Sequence, residues 1–110
     1  MSKKYKVIYS PAAKDDLRDT ARYIIYELKN PQAAKNVTNR IRSTVKSLCN
    51  MPDRYSLVDW EPWASLKTHK VPVGNYIIFY FIEDDASTVT VNRIFYAGRD
   101  IEHIIQDSDE

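Results

Sequence analysis

The chain has 110 residues, 44% of them apolar, and a net charge of +1. That length supplies one domain with a real core and not two, so 1–110 reads as a single unit. The longest apolar run, Tyr76–Ile82, is far too short to span a bilayer, and only Gly74 and Gly98 are glycines, which excludes a phosphate-cradling glycine loop.

Cys49 stands alone and the two histidines are distant from it, so no structural zinc pattern is present and no cofactor is called for. Met1–Lys6 has charge but no apolar segment behind it, and an unpaired cysteine suits a reducing compartment. Both point to the cytoplasm. The net charge hides an asymmetry. Residues 1–50 hold 11 Lys/Arg against 4 Asp/Glu, a balance of +7, whereas residues 51–110 hold 5 against 11, a balance of −6. A basic half serves a polyanion or an acidic protein partner, or is simply a solvated helical face.

Tyr5–Tyr9 is a short β-rich segment ended by Ser10-Pro11, which predicts a helix with serine as N-cap and proline at its first position. Asp15 and Asp16 then fall near the positive end of the helix dipole. Leu17, Ala21, Ile24 and Leu28 recur at helical spacing. Asn30-Pro31 repeats the punctuation, and Ala34, Val37, Ile41, Val45 and Leu48 mark the buried face of a second helix ending before Pro52. A joint of two or three residues makes the pair an antiparallel hairpin.

Met51–Ala64 is irregular and contains Trp60 and Trp63, which either plug the edge of a core or form a stacking platform for bases. Leu66–Val73 predicts a strand with Lys67 and His69 on one face and Lys70 on the other, and Pro72 places it at a sheet edge. Gly74-Asn75 suits a two-residue hairpin. Tyr76–Ile82 is apolar on both faces, as a strand covered on both sides should be. The cover for its second face is expected from Ile101, Ile104 and Ile105 or from a partner. After the acidic turn Glu83–Ala86, the last strand, Thr88–Tyr96, carries Arg93 in its middle and ends in Ala97-Gly98-Arg99-Asp100 and a short terminal helix. The order is β-α-α-β-β-β, an α+β fold with a helical hairpin packed on a mainly antiparallel sheet. Such a sheet with an open groove invites an amphipathic helix or an added strand from a partner.

Taken together, the Ser-Pro helix start after YKVIYS, the VPVGNYIIFY hairpin and the ending RIFYAGRDIEHII resemble the RelE/ParE superfamily of bacterial type II toxins over roughly residues 5–105. The resemblance implies a small cytoplasmic toxin silenced by a cognate antitoxin, with plasmid stabilisation or stress response as its setting. RelE-like members are ribosome-dependent endoribonucleases that cut messenger RNA without a metal. ParE-like members share the fold and inhibit growth through DNA gyrase.

Metal-free RNA cleavage needs an activated 2′-hydroxyl, a protonated leaving oxygen and a stabilised phosphorane. The resemblance implies that RelE-like toxins supply this with an arginine after the hairpin glycine, a second near the end of the last strand, and a C-terminal tyrosine. Arg99 matches the second arginine, but Ile77 stands at the first position and Ile104-Ile105 at the tyrosine. A catalytic set would therefore have to be Arg99, His69 and Lys67, with Arg93, Tyr96 and Lys70 as binding residues and no metal. Each has a plain structural reading. Lys67 and His69 are solvated residues that discourage edge pairing, Arg93 pairs with a buried acid, Arg99 belongs to a turn, Tyr96 to the core and His103 to the surface. The ParE-like reading asks less of these residues and is preferred. The third reading is a module that binds an antitoxin without being toxic.

Overall fold

A computed structural model describes residues 3–97; Arg99, His103 and the expected terminal helix with Ile101, Ile104 and Ile105 lie outside them. The element order is β1 (Lys6–Tyr9), α1 (Pro11–Arg22) continued by a π-helical turn (Tyr23–Glu27), α2 (Pro31–Ser47), β2 (His69–Val73), β3 (Tyr76–Glu83) and β4 (Thr88–Tyr96). The sheet runs β1-β4-β3-β2. Its hairpin strands are antiparallel, and β1 lies parallel to β4 with Lys6 opposite Thr88 and Tyr9 opposite Val91. This is the expected α+β arrangement. No described helix is long and apolar enough to cross a membrane.

Local chemistry sets the helix starts. The Ser10 hydroxyl accepts from the Ala13 amide at 3.0 Å and donates to the Asn92 carbonyl at 2.8 Å, so one side chain caps α1 and ties it to β4. Asn30 caps α2 in the same way through the Ala33 amide. Both helices face one side of the sheet. Ala13 and Leu17 from α1, Ile41 and Val45 from α2 and its C-cap residue Leu48 close on Val71, Ile78, Tyr80, Val89 and Val91. Thr38 is also buried, its hydroxyl donating back to the Ala34 carbonyl, which is how a polar side chain survives in this face.

Leu28 departs from the expected stripe and is 58% exposed. The helix widens over Tyr23–Glu27, where the Leu28 amide bonds the Tyr23 carbonyl five residues back. The chain then reverses at Lys29 with φ 52°, leaving Leu28 at the hairpin tip.

Among the described residues, the second face of β3 is covered by the loop between α2 and β2, while the expected cover from Ile101, Ile104 and Ile105 lies outside them. Trp63, only 4% exposed, sits on Phe79 with ring centroids 4.6 Å apart, and Trp60 stacks on Trp63 at 5.3 Å. With Val58, Phe95 and Ile77 they form a second, smaller core. The loop between α2 and β2 thus covers this face, and the structural reading of the tryptophans holds. Winding the loop around Trp63 also shortens β2. The Thr68 amide bonds the Trp63 carbonyl and the Lys67 amide bonds Ala64, so Leu66 and Lys67 lie in a turn and the strand starts only at His69. Pro72 does lie on an edge strand, whose first half is covered by Ser56–Val58. Gly74, with φ 59°, opens the two-residue turn between Val73 and Tyr76.

Candidate functional site

His69 is a core residue, contrary to the solvated reading. It is 9% exposed, its ring stacks on Tyr80 at 5.2 Å, and Nδ1 lies 2.8 Å from the Tyr55 carbonyl. A carbonyl only accepts, so Nδ1 carries the proton and donates. The Tyr80 hydroxyl in turn donates to the Pro52 carbonyl. The two rings therefore pin the chain around residues 52–55 to the sheet.

Burial pushes the Tyr80 hydroxyl well above its ordinary 10.0. The sign of the linkage follows. The unfolded tyrosine ionises first as the pH rises, so stability present below about pH 10 is lost above it. Unfolding free energy measured in urea from about pH 9 to about pH 11 is expected to fall, by at most about 1.4 kcal/mol per pH unit from this group, and Tyr80→Phe should flatten that fall. An unchanged slope in the variant would remove Tyr80 as its source.

Lys67 is exposed in a turn with φ 54°, off the strand altogether. It shares no face with His69. Lys70 lies opposite Phe79 and therefore on the tryptophan side of the sheet, while His69 lies opposite Tyr80 on the helix side. The structure does not gather Lys67, His69 and Lys70 into an acid–base set.

Arg93 has found its counter-charge. Its Nε and Nη2 donate to the two oxygens of Asp16 at 2.8 and 3.0 Å, and Asp16 also accepts the Ile94 amide at 2.9 Å. Beyond Val91 the edge of β4 has no partner strand among the described residues, because β1 has already turned into α1, and Asp16 substitutes for it there. The guanidinium also lies 4.4 Å over the Phe95 ring. Asp16 was expected to serve the helix dipole; a partner 77 residues away takes it instead. Tyr96 is 47% exposed at the end of β4, its ring edge-on to Tyr76 at 5.6 Å. Ile77 packs with the tryptophans. No group of three or more potential metal ligands occurs among the described residues.

The basic first half of the chain, read from the sequence as serving a polyanion or an acidic partner, forms a surface between β1 and α2. Tyr5, Val7 and Tyr9 of the β1 segment, Arg42, Val45 and Lys46 of α2, and Cys49 just after it line an open groove of about 350 Å³. Burial raises the Tyr9 hydroxyl from its ordinary value, and the Arg42 charge opposes that shift. The signal was available: Lys35, Arg42 and Lys46 recur along one line of a helix that contains no acid.

The family profile described as the ParE toxin of type II toxin–antitoxin systems, parDE, matches residues 7–101. The chain belongs to the ParE toxin family. No curated protein sequence matches this ParE-family chain. Among solved structures it is similar to a chromosomal ParDE toxin–antitoxin system from P. aeruginosa, at 15% identity and TM-score 0.69, covering 86% of this chain and 98% of that one. It is also similar to the RelBE2 toxin–antitoxin complex of Mycobacterium tuberculosis (20% identity, TM-score 0.58, 84% and 91% covered). A third likeness is to an archaeal RelE–RelB complex from Pyrococcus horikoshii OT3 (15%, 0.59, 87% and 98%). At these identities the likeness is one of fold, shared by ParE and RelE chains alike. The RelE/ParE resemblance read from the sequence is thereby met, and the residues above must say which chemistry the fold carries.

Proposed function

We propose that this ParE-type toxin arrests growth by acting on DNA gyrase in the cytoplasm, and that a cognate antitoxin holds it silent, in the setting of plasmid stabilisation. One observation carries the reading: the candidate residues for an RNA-cleaving site are not gathered together among the described residues, and two of them, His69 and Arg93, are engaged elsewhere. His69 is stacked in the core and bonded to a carbonyl, Arg93 is held by both oxygens of Asp16, and Ile77 is packed under the tryptophans. Arg99 alone is not an acid–base pair. A surface that binds and blocks an enzyme asks for none of this chemistry.

Pulse labelling after induced expression in a bacterial host tests the reading, with purified chain added to a gyrase supercoiling assay. DNA synthesis is expected to fail before protein synthesis, and supercoiling to be inhibited. Protein synthesis failing first, with supercoiling untouched, would overturn the reading in favour of messenger RNA cleavage. His69→Ala and Arg99→Ala would then be the variants to compare. If neither synthesis falls, the chain binds an antitoxin without being toxic.

A further inference from the structure

Helix α2 turns to solvent a face built from groups that can donate hydrogen bonds. Lys35, Asn39, Arg42 and Lys46 stand at i, i+4, i+7 and i+11, within about 40° of one line along the helix. Gln32, Asn36 and Ser43 flank them, and all seven are exposed. No carboxylate occurs in α2. The Arg40 guanidinium lies to one side, beside Gly74. None of the four cations joins an ion pair among the described residues.

Helix α1 is the internal comparison. Its exposed face carries Lys14, Arg18 and Arg22 at i, i+4 and i+8, but with Asp15 and Asp19 among them, and Arg18 lies 3.6 Å from Asp15. Interspersed signs make an ordinary solvated face with little net field. On α2 nothing cancels the cations. From Lys35 to Lys46 they run about 16 Å at about 1.5 Å per residue. One DNA strand presents a phosphate about every 3.4 Å of axis, so the line can follow a phosphate ridge.

The neutral neighbours decide between a protein and a nucleic acid. A protein interface centres on buried apolar and aromatic anchors. None of the exposed large apolar side chains of the described residues lies on α2. Phosphate oxygens, by contrast, are held by Lys and Arg together with Asn, Gln and Ser, with no apolar centre required. Asn36 Oδ1 already accepts from Gln32 at 3.0 Å, and its amide N–H groups are left to donate.

We propose that the exposed face of α2 binds the phosphate backbone of duplex DNA without reading its sequence. Lys35, Arg42 and Lys46 neutralise phosphates, and Asn36 and Asn39 donate to phosphate oxygens beside them. This extends the gyrase reading, to which it adds a direct contact between the toxin and the DNA on which that enzyme works. The contact itself is measured with no gyrase present.

The full chain, purified without a partner, is titrated against a labelled duplex DNA oligonucleotide by fluorescence anisotropy, from about 50 to about 200 mM salt. Three phosphate contacts give an expected slope of log K against log salt of about −2.7, a loss of about 40-fold in affinity over that range. Lys35→Gln with Arg42→Gln and Lys46→Gln should weaken binding at least about tenfold at the lower salt and bring the slope toward zero. Lys14→Gln with Arg18→Gln and Arg22→Gln removes the same charge from α1 and should keep the parent's slope. All six positions are exposed, so neither variant opens the core. A parent that leaves the duplex unbound at about 100 μM would overturn the proposal, as would an α1 variant that loses as much as the α2 variant. So would polyglutamate held by α2 in preference to the duplex, which would assign the helix to an acidic protein. A chain that binds the duplex through α2 but leaves gyrase supercoiling untouched supports this proposal and removes only the gyrase reading.

Discussion

Trp63→Ala is expected to lower the unfolding free energy by about 4 kcal/mol, read from urea denaturation followed by circular dichroism. The indole is 4% exposed and lies between Trp60 and Phe79, so truncation opens a void that the turn around it cannot fill. The Thr68 amide, bonded to the Trp63 carbonyl, and the start of β2 depend on that turn as well. A loss this large is a substantial share of the roughly 5–15 kcal/mol available to a small fold. Trp60→Ala, on the half-buried outer ring of the stack, should cost distinctly less and serves as the comparison if Trp63→Ala does not fold. A loss under about 1 kcal/mol for Trp63 would mean that the two indoles do not close this core. The aromatic-platform reading would then return.

Asp16→Ala should destabilise the fold by about 3 kcal/mol and lower the melting temperature by roughly 10 °C or more. The side chains of Arg93 and Asp16 are 26% and 11% exposed, so solvent screens the pair incompletely. Removing the carboxylate strands a guanidinium and the Ile94 amide together, and an unsatisfied buried donor costs more than a bond contributes. By contrast, the 3.6 Å pair of Arg18 with Asp15 is well exposed, and Asp15→Ala should change stability by well under about 1 kcal/mol. A double-mutant cycle with Arg93→Ala separates the ion pair from the edge contact. If Asp16→Ala still costs about as much in the Arg93→Ala background as it does alone, the amide of β4 rather than the guanidinium is what Asp16 is there to satisfy.

What could be read in advance was whatever short-range chemistry decides. Ser10-Pro11 and Asn30-Pro31 start helices because the side chain three residues before a free amide can accept from it. Gly74-Asn75 reverses the chain because glycine adopts φ 59° without strain. The run Thr88–Tyr96 came out at its expected bounds. The errors lie where the answer depends on residues far along the chain. Period-two alternation gave Lys67 and His69 a common face, but the turn wound around Trp63 ends the strand between them. Nothing near Arg93 in sequence names Asp16 as its partner. His69 looked solvated because its strand is an edge, yet Tyr55 and Tyr80 enclose it. The basic line on α2 was legible as periodicity.

The parallel pairing of β1 with β4 bears on when this protein comes into being. The first strand of the chain has nowhere to lie until Thr88–Val91 exists, and the Ser10 cap is tied to Asn92 as well. A nascent chain can build the helical hairpin early from local contacts, but the sheet it rests on closes last, across nearly the whole length of the polypeptide. The toxin fold is therefore assembled only once Thr88–Asn92 has been made. A chain cut short before β4 carries the basic helix but no finished sheet for it to rest on.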